Sequence, residues 1–130
     1  MSADLSTHQL VRSAVLGAAL WLFAALLLRW LGPMGVYDGW ARVVLFAAII
    51  PGTVPFVFFF EKVARLEPRQ LLAGFSIGTA TAICLDGLTL SWMPWLFGGE
   101  AFVAGAGATI LWGGGVGLFL AYVIGRRGAA

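Results

Sequence analysis

Four long apolar runs, separated by short polar breaks, make up nearly the whole chain. The first, Ser13 to Leu28, follows Arg12 and meets Arg29 and Trp30. Leu31 to Gly39 (LGPMGVYDG) then carries Pro33, glycines and Asp38, which is turn chemistry. A second run, from Trp40 to Phe60, ends at EKVARLEPR, residues 61–69, the one strongly charged stretch. The third covers Gln70 to Leu90, and SWMPWLFGGE, residues 91–100, breaks it from the fourth, Ala101 to Ile124. Runs of about 20 residues are long enough to span roughly 30 Å of hydrocarbon as helices. The pattern predicts helices over about residues 10–31, 40–60, 70–90 and 101–124. The expected fold class is therefore all-α, an integral membrane four-helix bundle, in a single domain over residues 1–130. The first run resembles a signal peptide at its start. It is long for a signal core, though, and no small-x-small cleavage pattern follows it, so it is read as an uncleaved span.

Composition agrees with this. Of 130 residues, 61% are hydrophobic and 11% charged, with mean hydropathy +0.95. Soluble domains carry about 25% charged residues. The formal net charge of +2 comes from basic residues at segment ends, not from a patch, so no nucleic-acid partner is expected. Residues 1–10 read as a polar tail, with His8 in it. One histidine and one cysteine, Cys84, offer no metal-ligand set and no internal disulfide. Phosphate loops, nucleophile elbows and His–carboxylate spacings are absent, so a catalytic set, a metal and a cofactor are all unexpected.

Lipid is as apolar as leucine, so helices within it associate by close packing and hydrogen bonds, and close packing needs small residues. The third run holds Gly74, Gly78, Ala82 and Asp86 at intervals of four, one above another on a helix. The fourth holds Ala101, Gly105, Thr109, Gly113, Gly117, Ala121 and Gly125, including a GxxxG pair at Gly113 and Gly117. Helix three is expected to mate with part of helix four. The drift of about 40° per step leaves the remainder for another neighbour, a second protomer or a membrane-protein partner. Pro51 and Pro55 each remove a backbone donor inside helix two and predict a kink there. Ser76, Thr79, Thr81 and Thr89 are expected to bond back to their own helix, and Glu61 and Glu67 to lie on a solvated face with Lys62, Arg65 and Arg69.

Asp86 is the candidate polar site. It stands about 24 Å along helix three from Gln70, at 1.5 Å per residue. A lone acid in such a segment is costly without a partner or water. Arg29 and Arg42 lie at the same expected depth, so an ion pair of Asp86 with one of them is expected, either as a structural staple or as a proton, cation or head-group site. Trp30, Trp40, Trp92 and Trp95 suit the headgroup layer and predict interface anchors in the lipid bilayer. The loop at 91–100 is expected to lie along that layer.

Orientation follows from the basic residues. Arg12, Lys62, Arg65, Arg69, Arg126 and Arg127 fall on the side of the termini, and Arg29 and Arg42 on the other. The bias predicts an inner-membrane protein with both termini cytoplasmic.

LLLRWLG in helix one, LDGL at 85–88, PWLFGG at 94–99 and ILWGGGVGL at 110–118 resemble a family of small bacterial four-helix membrane proteins catalogued as a domain of unknown function. The likeness covers nearly the whole chain. It implies four spanning helices and draws attention to Arg29, Asp86, Trp112 and Gly113, but it implies no activity. The chain also has the size of a small multidrug transporter, yet helix one lacks the membrane-embedded glutamate of that family and has only Ser13 and Arg29. The expected role is non-enzymatic: an accessory or assembly protein acting through helix four, with a homodimer or another membrane protein as partner. The alternative is a small dimeric transporter or channel for an ion or a small polar or amphipathic solute, using Asp86.

Overall fold

The computed structural model describes residues 4–128, which fold into four helices joined by short turns. They are α1 (Thr7–Leu31), α2 (Gly39–Ala64), α3 (Leu71–Trp92) and α4 (Val103–Gly125). No strand occurs among the described residues. Each helix is long and apolar enough to cross a membrane.

Where the helix ends depart from expectation, local bonds explain it. Helix α1 begins at Thr7 because Ser6 caps it: Gln9 N donates to Ser6 Oγ at 3.1 Å, and Ser6 N donates to Gln9 Oε1 at 2.9 Å. His8 therefore sits exposed in the first turn and not in a tail, while residues 1–3 of the expected tail lie outside the described residues. Helix α2 continues to Ala64 and stops at Arg65, which adopts a left-handed φ of 57°. It runs through Pro51 and Pro55 without interruption.

Consecutive helices run in opposite directions. At the end holding the termini, the amides of Gln9 and Gln70 exchange hydrogen bonds of 2.9 and 3.1 Å. Gln9 Nε2 also donates to Arg65 O at 2.9 Å, and Gln70 Nε2 to Asp4 O at 3.0 Å. One amide pair thus ties the start of α1, the end of α2 and the start of α3. Glu61 is not on a solvated face as expected. Arg127 Nη2 from the chain's end pairs with its Oε1, and the Glu61 side chain is only 13% exposed. Glu67 keeps the expected setting, with Arg69 at 3.2 Å and both side chains well exposed.

At the opposite end the turns fold inward. Tyr37 is buried against Gly105, where a Cβ would run into its ring. Burial pushes the Tyr37 phenol above its ordinary pKa of 10.0, so it stays neutral at physiological pH. Leu96 and Phe97 are buried in the same apolar cluster as Ala25, Leu28 and Ala106. The loop at 91–100 therefore does not lie flat along a surface: its centre plugs the bundle, while Trp92 and Trp95 stay exposed. Trp30 and Trp40 are exposed at the same end.

Around the bundle the order is α1, α3, α4, α2, with the α1–α2 contact the thinnest side of the ring. The tightest side is α1 on α3. A Cβ on Gly17 would collide with the carbonyl of Gly78 and lie 2.5 Å from its Cα. One turn away, a Cβ on Gly74 would lie 3.1 Å from Ser13 Oγ. The mate of Gly74 and Gly78 is thus α1, not α4 as expected. Helix α4 meets the adjacent face of α3 instead, where a Cβ on Gly117 would stand 2.8 Å from the Phe75 ring. The GxxxG pair does not work as a unit, since a Cβ on Gly113 would meet nothing within 4 Å.

Adding one methyl at this contact should be costly. Gly17→Ala is expected to lower stability by about 1–3 kcal/mol, because the two backbones must separate. Gly87→Ala, where a Cβ meets nothing within 4 Å, is expected to be neutral or to add up to about 1 kcal/mol from helix propensity. Thermal unfolding of both variants in detergent measures the difference.

Candidate functional site

Beside the Gly17–Gly78 contact a cavity opens, lined by residues of all four helices. It has a volume of about 310 Å³. Gly17 and Gly78 form part of its wall, as do Ala82, Asp86, Thr109 and Gly113. The row at intervals of four in α3 therefore changes role along its length. Gly74 and Gly78 make the helix contact, and Ala82 and Asp86 face the cavity.

The walls are almost wholly apolar. Phe23, Phe56, Phe60 and Phe75 contribute rings, with Phe60 and Phe75 edge to face at 5.2 Å between centroids. Phe23 and Phe56 meet at 5.9 Å across the thin α1–α2 side. The hydroxyls that line the cavity from α2 and α4 are committed to their own helices: Thr53 Oγ1 donates to Ile49 O at 2.6 Å and Thr109 Oγ1 to Gly105 O at 2.8 Å. Thr81 and Thr89 do the same on α3, at 2.8 Å to Ile77 O and 2.8 Å to Leu85 O, whereas Ser76 and Thr79 do not make the expected bond and the Thr79 hydroxyl is left uncommitted in the cavity wall.

Asp86 supplies the one titratable group among the described residues of the cavity wall. It is 8% exposed. The Trp21 indole stands beside its carboxyl as a donor. The two lie outside ordinary hydrogen-bond geometry, so Trp21 Nε1 is buried with no well-formed bond. Sequence reasoning missed Trp21. The available signal was its place in the middle of an apolar run, where an indole N–H needs a polar neighbour inside the bundle.

The expected ion pair does not form. Neither the Arg69–Glu67 nor the Arg127–Glu61 ion pair involves Asp86, and both Arg29 and Arg42 are exposed. Shared depth was insufficient because Asp86 faces the bundle interior while the two guanidiniums point out of it. Asp38, at the same end, precedes α2 without capping it by its side chain. Trp112 joins α4 to α2: its Nε1 donates to Phe46 O at 2.9 Å, and its ring stacks on Phe46 at 5.3 Å. Of the glycines expected to pack helices, Gly105 receives Tyr37, Gly117 receives Phe75, and Gly113 is open to the cavity. No group of three or more His, Cys, Asp or Glu that could hold a metal occurs among the described residues.

Fold and site together define a four-helix bundle of membrane-spanning length with an apolar internal cavity and a single carboxyl in its wall. Comparison with family models, curated proteins and solved structures finds no match for this chain.

A carboxyl with no cation and no well-formed donor adds little to the fold. Asp86→Asn is therefore expected to fold and to unfold at a temperature no lower than the parent, since an uncompensated buried charge is removed. A clear drop in the thermal midpoint in detergent would assign Asp86 a structural role instead.

Proposed function

We propose that the chain is a multi-pass inner-membrane protein with both termini in the cytoplasm, and that it is not an enzyme. Its working part is the cavity, which takes up a small, mostly apolar solute. The single observation that carries this reading is the cavity of about 310 Å³ with Asp86 in its wall. That volume is at the lower end for ligand sites, which are largely apolar with a few polar groups. It equals about ten water volumes, and walls this apolar favour an organic guest over water. The thin α1–α2 side, bridged by Phe23 and Phe56, supports passage of the solute from lipid into the bundle. The orientation is supported by the grouping of Lys62, Arg65, Arg69, Arg126 and Arg127 at the end that holds the termini.

A second reading, docking of a membrane partner on α4, is favoured by its outward face. Leu111 and Phe119 are 71% and 76% exposed there, and a Cβ on Gly115 between them would meet nothing within 4 Å.

Gly113→Leu separates the two readings, because its side chain grows into the cavity and not onto the outer face. In lipid nanodiscs, the parent protein is expected to bind 3-phenylpropanol, measured by ligand-detected NMR against empty discs, and Gly113→Leu to abolish that binding. Equal binding by both would remove the cavity from the mechanism. For the topology, an extracytoplasmic reporter enzyme is expected to be inactive when fused after residue 130 and active when inserted at Gly98; the reverse result would invert the orientation.

A further inference from the structure

We propose that the solute is a small lipophilic amine, with its ammonium on Asp86 and its apolar body among the rings of Phe23, Phe56, Phe60 and Phe75. This rests on the cavity reading above and adds the charge and class of the ligand.

The carboxyl is the starting point. It is nine-tenths buried, lines the cavity and has no cationic partner among the described residues. A buried acid of this kind is stabilised by a cation or a strong donor brought into the site. No Lys, Arg or His lines the cavity to supply one. An inorganic cation is a poor guest: Ca²⁺ needs six to eight oxygen ligands and Mg²⁺ a near-octahedral set. Here one carboxyl and the Thr79 hydroxyl are offered, while the Thr53 and Thr109 hydroxyls already donate to backbone carbonyls. A sugar or nucleotide fails for the same reason, because one carboxyl and one hydroxyl are too few to replace its hydration. An anion would meet the Asp86 charge directly.

An organic ammonium satisfies each constraint. Its N–H groups bond the carboxylate, and charge-assisted bonds of this type are the stronger ones. Its carbon skeleton replaces water against the apolar wall. Aromatic faces attract a cation that approaches within about 6 Å of the ring centroid, and the cavity wall carries the rings of Phe23, Phe56, Phe60 and Phe75. The cavity limits the guest to a compact molecule, one ring with a short side chain being the appropriate scale.

Three ligands of one shape test this: 3-phenylpropylamine, 3-phenylpropanol and 3-phenylpropionate, each titrated at pH 7 into the full-length protein in zwitterionic nanodiscs, with empty discs subtracted. The amine is expected to bind about tenfold or more tighter than the alcohol, and the anion most weakly. In Asp86→Asn the amine is expected to lose its advantage over the alcohol. In Gly113→Leu both should be lost. If amine and alcohol bind the parent equally and both are lost in Gly113→Leu, the cavity reading stands and the amine assignment is overturned. It is equally overturned if Asp86→Asn keeps the preference for the amine. If Gly113→Leu changes neither ligand, both readings fall. Should Asp86→Asn not fold, the ranking of the three ligands on the parent and its loss in Gly113→Leu decide the matter without it.

Discussion

The bundle depends on two helices touching where neither has a side chain. At Gly17 and Gly78 the backbones of α1 and α3 are in direct contact, and any Cβ would have to push them apart. The contact is specific because it is also supported from other helices. The Phe60 ring of α2 rests over Gly78, 2.6 Å from where a Cβ would be, and the Leu66 side chain fills the space at Gly74. On the proposed membrane placement there is little hydrophobic gain from bringing helices together, and close contact of this kind is what draws them together. It also borders the cavity: Gly17 and Gly78 line it, and Asp86, further along α3, lies in the same wall.

Geometry explains why a single row of residues does two jobs. Positions four apart advance about 40° around the helix at each step. By Ala82 and Asp86 the row in α3 has turned from the glycine contact to the wall of the cavity. The same drift governs α4. Gly105 and Gly117 are filled by aromatic rings from a turn and a neighbouring helix, while Gly113 between them faces empty space. Small residues here serve aromatic neighbours and a void as much as they serve other helices.

Much of this was legible in the sequence. Four runs of apolar residues define four helices, and the breaks at Pro33, at Glu61 to Arg69 and around Pro94 define the turns. The small-residue row in α3 pointed to the tight contact and to Asp86. What could not be read was which helix faces which. Residue type says that Gly74 and Gly78 accept a close neighbour, but Ser13 and Gly17 in α1 carry the same signal over a shorter length and were passed over. Depth along a helix placed Arg29 and Arg42 level with Asp86, but direction around the helix is set by tertiary packing. The glutamine pair, Gln9 with Gln70, was invisible for a related reason: its partners are 61 residues apart and neither belongs to an apolar pattern.

Helix α2 differs from the other three in its backbone. Pro51 and Pro55 have no N–H, so the carbonyls one turn before them, at Ala47 and Pro51 itself, lack the donor that a regular helix provides. Two rungs of the backbone ladder are therefore missing at this level, whereas α1, α3 and α4 contain no proline and keep theirs. The same rod forms the weakest seam of the ring, with Phe56 at its edge. The bundle therefore combines three stiff staves with one compliant stave, and the compliance falls beside the hollow.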